Sequence, residues 1–217
     1  MARASIRKSV LGRLSMRAAL AAIVLLIGLL PGTSYAIDGT VWAELARVQI
    51  LEASFDQTQT RTVLKQPLKS RGTVRFERAP TGVAGPALTW QVSEPGRSTF
   101  SLVGSVARME YPDLGMKESF DLAQVPDASR LASSLLVWMQ ADAVAVAREF
   151  DTTYGADTAV LKPKDPTLRA LLASIEIRFV AGPWRVRAVD LVEPDGDRVN
   201  IVFHGVKLDG VGMADGG

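Results

Sequence analysis

Cysteine is absent from the sequence and histidine occurs once. These two gaps exclude disulfide scaffolds, thiol nucleophiles, lipid-modified cysteine anchors and every Cys-based or multi-His metal site. Aromatic residues are scarce at 6%, yet 47% of the chain is apolar and 22% charged, the composition of an ordinary globular protein rather than a disordered or collagen-like one. Acidic residues are missing from one stretch: residues 1–36 carry Arg3, Arg7, Lys8, Arg13 and Arg17 and no acid. The rest of the 217-residue chain holds 20 basic and 23 acidic groups, so the overall charge of +2 does not signal nucleic-acid binding.

The basic stretch has the three parts of a secretory signal. Its arginines precede an apolar run from Ala18 to Leu30, and Pro31, Gly32 and the small-residue site Ser34-Tyr35-Ala36 follow, which predicts cleavage after Ala36. The run is too short for the roughly 20 residues that cross a bilayer. No Cys follows it, so it is not a lipoprotein leader, and Arg7-Lys8 is a poor match to a twin-arginine signal. The expected layout is a cleaved signal at 1–36 and a single domain outside the cytoplasm at 37–217, with enough chain for a substantial core.

Period then divides the mature chain. Val41, Leu45, Val48 and Leu51 fall near helical spacing, so a short amphipathic helix is predicted over 40–52, capped by Thr40. Residues 53–64 are polar and β-branched, as an exposed or edge strand would be. Strand-like alternation follows. Val74, Phe76 and Arg78 share one face, then Leu88, Trp90 and Val92, then Phe100 and Leu102, then Ala107, Met109 and Tyr111. A helical stretch over 127–150, broken near 140–142, interrupts this meander with Leu131, Leu135, Trp138 and Met139 on one stripe. Strands at 151–154 and 158–162, a short helix at 167–173 and three closing strands complete the chain, with Ile175, Ile177 and Phe179 in alternation and Asp195-Gly196-Asp197 as a hairpin turn.

Nine to eleven antiparallel strands in one domain must curl, so the fold class is α+β, mainly β: a strongly curved sheet or half-open barrel with helices over its hollow. Phe76, Leu88, Trp90, Phe100, Leu102 and Met109 from the first strands, and Ile175, Ile177 and Phe179 from the later ones, would line an apolar cavity. Leu135 and Met139 would face it from the helical lid, and such a cavity suits acyl chains.

The order of these pieces carries a resemblance. A helix, then Ala53-Ser54-Phe55-Asp56-Gln57-Thr58, Gly72-Thr73-Val74-Arg75-Phe76, Leu88-Thr89-Trp90 with Pro95 shortly after, and Leu161-Lys162-Pro163-Lys164-Asp165 together resemble the LolA-type periplasmic lipoprotein carriers over about residues 38–209. The resemblance implies a half-open barrel with a helical lid that holds the acyl groups of lipoproteins between an inner-membrane exporter and an outer-membrane acceptor. It implies a monomeric carrier or chaperone of outer-membrane biogenesis, neither an enzyme nor dependent on a cofactor or metal. In that family an Arg before a Pro bonds the lid helices and holds them shut. Here that role falls to Arg78, which strand parity already turns inward. The sequence departs from the pattern where Ala79 separates it from Pro80 and where residues 81–87 are inserted before Leu88. Such departures suit a relative devoted to a glycolipid or pigment. A lipid- or protein-binding sensor on the same sheet is the rival reading.

Other candidates have plainer explanations. His204 has no Gly-x-Ser-x-Gly partner and reads as structural or solvent-facing, sharing a face with Val202 and Val206 and opposite Ile201 and Phe203. Asp195 and Asp197 are turn residues and Gly210, Gly212 and Gly216 a tail. Trp90, Trp138 and Trp184 are equally core fillers, and Met109, Met116 and Met139 gap fillers. Lys65, Lys69, Arg71 and Arg75 form a basic strand face, solvated or turned toward headgroups or an exporter.

Overall fold

A computed structural model describes residues 38–78, 80, 82, 85–124, 140–180, 185–209 and 211–212. The predicted signal, the helical stripe of Leu131, Leu135, Trp138 and Met139, and Trp184, Gly210 and Gly216 lie outside those residues. Three short helices, α1 (Thr40–Leu45), α2 (Ala143–Glu149) and α3 (Pro166–Arg169), accompany twelve strands. The strands are β1 (Ile50–Thr60), β2 (Leu68–Glu77), β3 (Ala87–Glu94), β4 (Ser98–Val103), β5 (Val106–Tyr111), β6 (Met116–Asp121), β7 (Phe150–Tyr154), β8 (Thr158–Pro163), β9 (Ser174–Val180), β10 (Arg185–Val192), β11 (Arg198–Leu208) and β12 (Val211–Gly212).

All twelve belong to one antiparallel sheet in the order β6-β5-β4-β3-β2-β1-β11-β10-β9-β8-β7, with β12 beside β11. β6 and β7 stay unpaired with each other at the two edges, so the sheet is open. Two meanders, β1 to β6 and β7 to β11, are joined through the pairing of β1 with β11, for example Phe55 with Phe203. Residues 53–60 are therefore part of the central strand and not an edge. Their polar character reflects alternation: Leu51, Ala53, Phe55 and Gln57 are buried while Ser54 and Asp56 are exposed.

Local chemistry sets the remaining boundaries. α1 ends at Leu45, seven residues before the predicted Glu52, because Ile50 already pairs with Glu77 in the sheet. Its first two N–H groups are met by Asp38, whose Oδ1 accepts from the Thr40 N–H at 2.8 Å and whose carbonyl accepts from the Val41 N–H at 3.2 Å, so the N-cap position falls to Gly39 and Thr40 does not cap the helix. The predicted break near 140–142 is real: Ala141 adopts φ 51° and Asp142 caps α2 by accepting from the Val144 and Ala145 N–H groups at 3.0 Å each. Phe150 then leaves the helix to open β7. α3 is shorter than predicted, with Asp165 accepting from the Leu168 N–H at 2.9 Å and Pro166 in its first turn.

One bulge re-aims half a strand. Gly205 (φ 56°) is an extra residue in β11 against β1, and it lets Val206 swing to the core at 4% exposure rather than share the outer face of His204 as simple parity predicts. Gly212, expected in a tail, lies instead in β12, which pairs Lys207 with Gly212 and Leu208 with Val211.

Candidate functional site

The sheet brings the predicted inner residues together. Phe76, Leu88, Trp90, Phe100, Leu102, Met109, Ile175, Ile177 and Phe179 all lie on its concave face at no more than 3% exposure, in one cluster with Val41, Trp42 and Leu45 of α1 and Val146 of α2. The helices fill the hollow with their own apolar side chains. A ligand reaching these residues must displace them.

Trp42 matters most here, and sequence periodicity passed it by because the apolar stripe was drawn through Val41 and Leu45. It is 1% exposed, sets its ring edge-on to Phe179 at 6.4 Å between centroids, and donates from Nε1 to the Tyr154 hydroxyl at 2.8 Å. That bond satisfies the one polar atom a buried tryptophan carries and ties α1 across the hollow to β7. A second aromatic pair stacks Phe55 on Trp90, with centroids 3.9 Å apart. Gly72 makes it possible: a Cβ there would lie 1.8 Å from the Gln91 carbonyl oxygen and 2.9 Å from the Phe55 ring. Only glycine fits where β2 shifts register against β3.

Arg78, one residue past β2, lies under the helices. Its Nε donates to the Val48 carbonyl at 2.9 Å, Nη2 to the Leu45 carbonyl at 3.2 Å and Nη1 to the Gln140 carbonyl at 2.5 Å. Its own N–H donates to Gln49 at 2.8 Å, and the guanidinium carbon stands 5.8 Å from the Phe76 ring centroid. One side chain thus joins the end of α1, the α1–β1 link and the turn before α2. Burial pushes its pKa below the ordinary arginine value, with Asp209 acting weakly in the other direction, yet a guanidinium remains charged at neutral pH. Asp209 itself accepts from the Gln49 and Ile50 N–H groups at 2.9 and 2.8 Å, bracing the same link.

Gln57 is a further polar residue on the concave face. It is 4% exposed and its Oε1 has no hydrogen-bond partner, an uncommon state for a buried acceptor.

The opposite end of the sheet, where the β1–β2, β3–β4, β5–β6 and β10–β11 connections gather, has another character. Val63, Leu64, Leu68, Leu114, Met116 and Leu171 all stand exposed there, and Val63 reaches 88%. These are six of the seven large apolar side chains exposed among the described residues. Lys65 and Lys69 flank them, while Arg71 pairs with Glu94 and Arg75 with Glu52 on the outer face. At the same end Glu193, Asp195 and Asp197 gather their carboxylates within 4.8 Å, but Arg61 already bridges Glu193 at 2.5 Å and Asp197 at 3.1 Å. His204 lies on the convex face with Nε2 3.0 Å from Asp56 Oδ2, exposed as expected. No described helix is long and apolar enough to cross a membrane.

The fold defines the class: an open antiparallel sheet with one face covered by short helices. No protein-family model and no curated protein matches the sequence. Solved structures do show likeness. A DUF1329 family protein from Desulfovibrio piger matches at TM-score 0.48 and 10% identity, covering 82% of this chain and 92% of that one. A LolA superfamily protein from Nitrosomonas europaea matches at TM-score 0.39 and 9% identity, covering 75% and 87%. The Pseudomonas aeruginosa MucA/MucB complex matches at TM-score 0.42 and 13% identity, covering 80% of this chain and 58% of that one.

Proposed function

We propose that this protein is a non-catalytic periplasmic carrier that takes the acyl chains of lipoproteins, or of a related lipid, against its concave face and conveys them from an inner-membrane exporter to an outer-membrane acceptor. The observation that carries this reading is Arg78, a charged side chain spent on three backbone carbonyls that hold two separate segments over an apolar face. An apolar residue there would leave the Leu45, Val48 and Gln140 carbonyls short of donors, so the charge itself is what fastens the two segments. A charged fastening has the added property of being broken and remade.

The magnitudes agree with carriage. Hydrogen bonds to a charged group contribute about 1.5 kcal/mol each at the low end, which a half-buried guanidinium warrants. Each acyl methylene moved from water into the apolar face contributes about 0.8 kcal/mol, so roughly six methylenes offset the three bonds. Displacing the apolar side chains of α1 and α2 adds to that cost, so a chain well beyond about six methylenes is needed to open the protein. Release follows from the same balance, since the Arg78 bonds reform as cargo leaves and keep net affinity moderate. The exposed apolar end with Lys65 and Lys69 supplies a surface for exporter and acceptor, remote from Arg78.

The test is native mass spectrometry with lipid extraction on protein purified without detergent from the periplasm of cells expressing the full chain, as wild type and Arg78→Leu. Acylated species are expected on the wild type and retained longer by Arg78→Leu. A uniformly empty wild type that also refuses added lipid would sink the carrier reading, and equal retention by both proteins would remove the role of Arg78.

A further inference from the structure

The concave side of β1 changes character along its length. Leu51, Ala53 and Phe55 are apolar, and Gln57 and Gln59 follow on the same face toward the β1–β2 turn. Gln59, half-buried, accepts from Arg61 Nη2 at 3.3 Å. The Gln57 acceptor is met by nothing. Among the described residues, the buried side-chain polar atoms without a hydrogen-bond partner are Gln57 Oε1, Glu44 Oε2 and Thr152 Oγ1. Glu44 and Thr152 are half-buried residues, whereas Gln57 is withdrawn from water almost entirely, at 4% exposure.

Around Gln57 on this face stand apolar residues and one hydroxyl. Ile201 of β11, fully buried, lies directly across from it, and Phe55, stacked on Trp90, precedes it along β1. Ser70 of β2 is its partner on the other side, and alternation along β2 turns Ser70 to the face of Val74 and Phe76. Cross-strand partners hold their Cβ atoms about 5 Å apart, so a carboxamide and a hydroxyl lie side by side where the apolar strip ends. A buried acceptor without a partner is destabilising, and a residue needed only for packing at this place would be apolar like Ile201. A ligand that brings a donor removes that cost.

We propose that Gln57 reads the polar end of the cargo: its Oε1 accepts the N–H of an acyl amide, while the chain runs inward past Phe55, Ala53 and Leu51 toward Arg78. An amide presents one donor and one acceptor, which suits the Gln57 carbonyl on one side and the Ser70 hydroxyl on the other. An ester presents acceptors alone and leaves Gln57 Oε1 unmet. The inference rests on the concave face taking acyl chains, and it adds the chemistry of the linkage, amide in preference to ester, and the direction in which the chain lies.

In the experiment the purified full chain, as wild type and Gln57→Leu, is incubated with an equimolar mixture of N-hexadecanoylglycine methyl ester and its oxygen isostere, the hexadecanoyl ester of methyl glycolate. Bound species are separated by gel filtration, extracted and quantified by mass spectrometry. The acyl chains are identical, so the ratio of amide to ester bound reports the linkage alone. The amide is the costlier of the two to withdraw from water, so without an acceptor the ester is favoured. The ratio should fall about tenfold from wild type to Gln57→Leu, the order that one buried hydrogen bond sets. An equal ratio in the two proteins overturns the role of Gln57 and leaves acyl carriage standing, whereas neither compound binding to wild type overturns both. Should Gln57→Leu not fold, Gln57→Met, which keeps the length and lacks the carboxamide, takes its place with the same expected fall.

Discussion

The two ends of the sheet treat exposed and buried groups in opposite ways. At the Arg78 end a charge is drawn inward and bonded to three carbonyls, while at the hairpin end apolar side chains are pushed outward beside lysines. Both arrangements are locally unfavourable compared with the ordinary placement of such residues. A protein selected for stability alone would have neither. In the proposed function their separation by the full length of the strands assigns access to the concave face to one end and partner contact to the other.

Four variants would break or sharpen that contrast, and the first should strike both ends at once. Gly72→Ala places a Cβ against the Gln91 carbonyl in the shared sheet, so a loss of about 3 kcal/mol or more is expected in denaturant unfolding. Wild-type stability in this variant would mean that β2 and β3 move apart at little cost. Arg78→Leu should cost about 2 to 4 kcal/mol in the empty protein by leaving the Leu45, Val48 and Gln140 carbonyls short of donors, and hydrogen exchange should quicken at α1 and α2 but not at the β1–β2 turn. Uniform quickening would show that the two ends are not independent.

Asp197 tests the hairpin end. The Thr62 N–H, then the Arg61 and Thr62 side chains, hold its carboxyl below the ordinary value of 3.8. Since the folded value is depressed, its contribution is fully present above the ordinary carboxylate range and is lost as pH falls below about 4 through the folded value. Asp197→Asn should therefore lower stability by about 1 to 2 kcal/mol at pH 7 and flatten the acid limb of the stability curve. An unchanged acid limb would place the titration elsewhere. The smallest effect on stability, within about 0.5 kcal/mol, is expected for Val63→Asp with Leu64→Asp, since both side chains are already in water. The same double variant should abolish cargo transfer to membranes in vitro while leaving cargo binding intact; undiminished transfer would free the hairpin end of any partner role.

Much of this was readable in residue order. Alternation placed Phe76, Leu88, Trp90, Phe100 and Leu102 on one face, and the same parity turned Arg78 inward, because a period of two survives whatever the strand pairs with. The position of β1 was not readable. Its polar residues suit an edge, and only the pairing of Phe55 with Phe203, some 150 residues away, makes it central. Val206 was misplaced for a related reason, since a bulge inverts parity without leaving a mark beyond the glycine that permits it. The place of Trp42 depends on its contacts with Tyr154 and Phe179 in distant segments, which no local pattern encodes.

That central pairing also governs how the protein comes into being. β1 is among the first strands to follow the amino-terminal segment and its partner β11 among the last, so the two meanders can form early while the seam between them waits for nearly the whole chain. Closing so long a loop is slow, and until it closes β1 offers an open edge beside apolar side chains. A chain emerging from its amino terminus therefore spends its synthesis with its middle strand unguarded, and the final zipping of β11 along β1 is the step at which aggregation and folding compete.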